Sequence, residues 1–121
     1  MLAPHEGYFM NHNAKILIIH IAQATELERL RLARQPATPA KAKALAALAR
    51  EGVEYRLERV LARSPSRAES ACFSRELQAL EAAGLLERWH FGYSARTTAV
   101  RLTPAGEALA VSLRVADTDA K

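Results

Sequence analysis

The chain has 121 residues, half of them hydrophobic and a quarter charged, which fits one soluble globular domain and excludes two of ordinary size. Its formal charge of +4 and isoelectric point near 9.6 suit a nucleic-acid partner but are too modest to name one. A single cysteine excludes an internal disulfide and fits a reducing cytoplasm, and the longest apolar run, residues 16–19, is far too short to cross a bilayer.

Residues 1–12 read as a flexible arm that lacks the basic start and apolar middle of a secretory signal, and Met10 is an alternative start. The rest, 13–121, reads as one domain. Residues 11–13 offer a cap for a helix over 13–34 whose first half, KILIIHIA, is apolar all round. Its second half narrows to a stripe through Ala24, Leu27 and Leu30. A segment apolar on every side has to be surrounded by protein, so this helix is read as the homodimer contact. The rival reading is a short strand over 15–21 and a helix from Thr25, where Thr25 and Glu28 have capping-box spacing.

Thr38 and Pro39 open a second helix that ends at Gly52, and 53–63 is expected to be a third, with Val53, Leu57, Val60 and Leu61 on its inner face. Residues 35–63 hold six Lys/Arg against three Asp/Glu, and Lys41 and Lys43 are read as phosphate contacts. Ser64 and Pro65 then start a helix over 65–83, stopped by Gly84, with Ala68, Cys72, Phe73, Leu77 and Leu80 inward. A hairpin over 85–102 follows. Thr103 and Pro104 cap a last helix, and the tail VADTDAK is expected to fray.

The fold class is therefore mainly α with a small β-hairpin: a winged helix-turn-helix with an extra N-terminal helix. The outer face of the 65–83 helix carries Arg67, Ser70, Ala71, Ser74, Arg75 and Gln78. Arginine can bond guanine in pairs, glutamine adenine, and serine either bases or phosphates. Arg88, His90, Tyr93, Arg96 and Thr97 lie in or beside the hairpin loop, with no acidic residue between Trp89 and Gly106. An arginine at such a tip suits the narrow, negative minor groove. Exposed helices and hairpin tips are polar in most proteins, so neither feature alone decides the matter.

The segment SRELQALEAAGLLER followed by VRLTPAG resembles the core of MarR-type winged-helix transcription regulators. Ser74-Arg75, Leu77, Leu80, Gly84-Leu85, Glu87-Arg88, Val100, Leu102, Thr103 and Gly106 carry the likeness, which covers about residues 70–109. The resemblance implies a recognition helix in the major groove, a wing arginine at Arg96, and a homodimer reading two half-sites. Ser94 stands where such wings carry an aspartate, and the helix and turn usual before the recognition helix are replaced by VLARSPSRAES.

Cys72 reads as a buried structural thiol, and His5, His12, His20 and His90 have no metal-ligand spacing. There is no nucleophile motif, phosphate loop or paired carboxylate, so neither catalysis nor a cofactor is expected. The expected partner is double-stranded DNA. The alternatives are a protein-binding module or a plasmid or phage DNA-maintenance protein of the same fold. No polar cluster identifies an effector site.

Overall fold

The computed structural model describes residues 11–90 and 97–119. They form five helices and a three-stranded antiparallel sheet: α1 (His12–Ala33), α2 (Pro39–Glu51), β1 (Val53–Glu54), α3 (Leu57–Leu61), α4 (Arg67–Ala82), β2 (Leu86–Trp89), β3 (Ala99–Leu102) and α5 (Pro104–Asp119). None of these helices is long and apolar enough to cross a membrane.

The side chain of Asn11 accepts from the Ala14 backbone N–H at 2.8 Å and starts α1 as a single unbroken helix. Thr25 does not restart it. Its hydroxyl donates at 2.7 Å to the Ile21 carbonyl one turn back. In the apolar first half Ala14, Leu17, Ile18 and Ile21 are fully buried within the subunit, whereas Ile16, Ile19 and His20 are only partly covered. In the second half only Ala24 of the expected stripe packs against the core. Leu27 and Leu30 are 68% and 46% exposed, and Leu32 is buried instead.

The helix expected over 53–63 is replaced by a strand and a short helix. Gly52 caps α2 at φ +85°, and the chain leaves it extended. Val53 and Glu54 then pair with Val100 and Ala99, and Tyr55 N–H donates to Thr98 O at 2.9 Å. A β-branched and an aromatic residue flanking one polar position suit that edge. The hairpin expected alone thus becomes part of a sheet in the order β1-β3-β2, with β3 central.

α3 ends on Ala62, whose φ of +59° is left-handed. That conformation costs an L-residue about 1–2 kcal/mol, and glycine gives back less than that in entropy. Ala62→Gly is therefore expected to stabilise the protein by about 0.5–1 kcal/mol, read as a melting point a few degrees higher.

α4 starts two residues later than Ser64 and Pro65 suggest. Ser66 is its cap, in a reciprocal box: Ser66 Oγ accepts Glu69 N–H at 3.1 Å, and Glu69 Oε1 accepts Ser66 N–H at 2.9 Å. Phe73, Leu77 and Leu80 face the core, Cys72 is half-buried, and Ala68 lies in solvent rather than inward. Gly84 ends the helix at φ +78° as expected.

Leu86 to Trp89 pair with Leu102 to Ala99. Thr103 Oγ1 donates to Gly84 O at 2.6 Å and accepts from Gly106 N–H at 3.1 Å, joining hairpin and α5. A Cβ on Gly106 would lie 1.9 Å from Leu85 O, so only glycine lets α5 come this close to the start of the hairpin. The expected frayed tail is helical as far as Asp119.

Candidate nucleic-acid interface

α4 turns Phe73, Leu77 and Leu80 inward, and the 3.6-residue period leaves the other side of the helix to solvent. Arg67, Ser70, Ala71, Ser74, Arg75 and Gln78 are all exposed. Ser70, Ser74 and Gln78 form one wall of a groove of about 360 Å³. Arg88 of β2, Thr97 just before β3, and Tyr55, Arg56 and Glu58 also line it. Five of the residues singled out in the sequence therefore meet in one place.

Arg88 is the base of that arrangement rather than a free probe. Its Nε and Nη2 donate to Glu81 Oε1 at 3.0 and 2.8 Å, and its backbone N–H donates to Glu81 Oε2 at 3.0 Å. Desolvation pushes the Glu81 carboxyl up, but the Arg88 N–H and guanidinium hold it below its usual range. The last turn of α4 is thus tied to the first strand of the hairpin. Tyr93 and Arg96 lie outside the described residues.

Lys41 and Lys43 are not part of this face. Lys41 Nζ donates to Gln35 O at 3.1 Å, just past the C-terminal end of α1. The opposite end of α1 is the one that touches α4, where Asn11 donates to Glu76 at 2.9 Å and Asn13 to Cys72 Sγ at 3.4 Å. Those ends are separated by 22 residues of helix, about 33 Å.

Tyr55 and Arg56 are groove residues missed in the sequence. They fell within the expected 53–63 helix, and nothing local to the sequence marked them as extended. Burial, and then the charge of Glu58, push the Tyr55 hydroxyl up to about 12, so it remains a hydrogen-bond donor.

The electrostatics around α4 are largely compensated. Arg56 and Arg59 pair with Glu54 at 2.6 and 3.7 Å, and Arg63 pairs with Glu69. Among the described residues, Arg67 and Arg75 are the arginines of α3 and α4 left without an acidic partner.

The Arg63 guanidinium, followed by the Ser66 N–H, pulls the Glu69 carboxyl from 4.5 down to about 2. A depressed carboxylate stabilises the fold above its unfolded value and loses that effect as pH falls from about 4.5 towards 2. Burial also lowers the pKa of His20, whose neutral form the fold prefers; that preference acts above its ordinary 6.5 and is lost on acidification below it. Melting temperature is therefore expected to fall in two stages on acidification. His20→Gln should remove the first stage and Glu69→Gln should shrink the second, to which Glu28 and Glu81 also contribute, checked by melts between pH 8 and pH 3.

No protein-family model, curated protein or solved structure matches this chain.

Proposed function

We propose that this is a small winged-helix protein that binds double-stranded DNA sequence-specifically as a homodimer, a transcriptional regulator of MarR-like kind in the cytoplasm. The element order from α2 to β3, helix-strand-helix-helix-strand-strand with β3 central, is compatible with a winged helix and supports this reading. In this reading α4 lies in the major groove, and the turn between β2 and β3 reaches the minor groove or the backbone. The observation that carries the reading is the uncovered polar row of α4. Ser70, Ser74 and Gln78 there meet the hairpin in one groove, with Arg67 and Arg75 beside them.

Anisotropy titration of random duplex at low and moderate salt tests it. Two unpartnered arginines per α4 give a salt slope of about −2 per subunit before any wing contact. Absence of binding at low salt rejects the reading.

The compensated arginines and the acidic Glu58 on the groove favour a second one, in which the same face binds a protein. Duplex binding without salt dependence, or none at all, would support it. A plasmid or phage DNA-maintenance role shares the DNA expectation and is separated by the sequence recovered from a random duplex pool.

A further inference from the structure

The arginines around α4 are held in two ways. Arg56 pairs with Glu54 and Arg63 with Glu69 on open surface, where more than half of each arginine side chain meets solvent. Such pairs contribute little and yield to a competing phosphate. Arg88 differs, with only 25% of its side chain exposed and Glu81 at 37%. One edge of its guanidinium, Nε and Nη2, is given to Glu81 Oε1, while Glu81 Oε2 takes the Arg88 backbone N–H. Both carboxylate oxygens are thus committed to one residue.

The pair lies where a cation would count. Glu81 is in the last turn of α4 and Arg88 is in β2, and Arg88 lines the same groove as Ser74 and Gln78. A free guanidinium there would be drawn to any phosphate, whatever the sequence. The Glu81 carboxylate, ionised at neutral pH, cancels that charge. Arg88 Nη1 has no partner among the described residues, so the pair keeps a donor whose direction the carboxylate fixes. A guanidinium held along one edge offers its remaining hydrogen bonds at one angle, which discriminates between acceptors. A mobile one follows charge.

We propose that Glu81 sets the specificity of this face: by pairing with Arg88 it withholds a cation from the phosphate backbone and leaves the groove a directed donor beside Gln78. Glu81 is a positioning residue that acts through Arg88. The role rests on the DNA-binding reading and deepens it by naming the residue that separates preferred from arbitrary sequence. With Arg88 cancelled, Arg67 and Arg75 supply the free charge of α4, and release of Arg88 adds a third cation.

Glu81→Gln tests it, because the amide keeps the shape and can still accept from the Arg88 N–H but carries no charge. Anisotropy titration from about 50 to about 200 mM salt compares a preferred duplex with a scrambled one. The salt slope should steepen by about 0.9 per subunit, so that the gain on scrambled duplex shrinks roughly three- to fourfold across that range. The ratio of preferred to scrambled affinity should fall about fivefold or more. Glu81→Asp keeps the charge and should restore the parent slope. The double variant Glu81→Gln with Arg88→Gln should do the same, since no cation is then released. Both side chains are partly exposed, so every variant should remain folded by circular dichroism. A parent slope in Glu81→Gln, or an equal loss on both duplexes, makes the pair merely structural and overturns the proposal while the DNA reading stands. No binding by the parent at low salt removes both.

Discussion

Gly52→Ala is expected to lower the unfolding free energy by about 3 kcal/mol or more, the combined effect of backbone strain and a collision. The residue sits at φ +85° and ψ −151°, a conformation closed to L-residues. A Cβ there would lie 1.9 Å from Val100 O, 2.4 Å from Val100 C and 2.7 Å from Arg101 Cα, all backbone atoms of the central strand. Relief requires β1 to pull away from β3, and the pairing of Val53 with Val100 would go with it. Gly84→Ala, at φ +78°, should cost only about 1–2 kcal/mol. Urea unfolding of both variants checks this. Equal losses would mean that the close approach to Val100 is not what holds position 52 to glycine.

The second large effect concerns the interface. Arg75→Ala is expected to lose about 1–3 kcal/mol on a preferred duplex, roughly 5- to 150-fold, and to relax preference at one base pair. Arg75 is exposed and has no acidic partner among the described residues, so its removal should leave the unfolding free energy within about 0.5 kcal/mol of the parent. Lys43→Ala should leave both affinity and salt slope unchanged, because α2 begins beside the far end of α1 rather than beside α4. Titration of preferred and scrambled duplexes with both variants separates the outcomes. An equal loss on every sequence would make Arg75 a backbone contact, and no loss at all would remove α4 from the interface.

Much of the scaffold was legible because local chemistry dictates it. Thr38 with Pro39, Gly52, Gly84 and the alternation around Val100 mark helix ends and strands by backbone preference alone. β1 was not legible, since two residues have no periodicity and become a strand only through pairing with β3, far along the chain. The start of α4 was readable but misread. Ser64 and Ser66 both offer a cap, and Glu69, three residues after the second, chooses between them. The exposed Leu27 and Leu30 show what a periodic stripe cannot tell. α1 carries apolar residues on more than one side, and only packing decides which side is covered. The polar row of α4 was legible as a face, whereas its meeting with Tyr55 and Arg56 depends on how the sheet closes.

The reciprocal cap at Ser66 constrains how any anion can meet α4. Free amides at the start of a helix form a positive pole suited to a phosphate. Here Ser66 Oγ takes the Glu69 amide, and the Glu69 carboxylate, ionised at neutral pH and held by Arg63, lies over the same end. The helix tip is thus electrically satisfied from within the chain. A nucleic-acid backbone has to approach α4 broadside, along Arg67 and Arg75, rather than head-on.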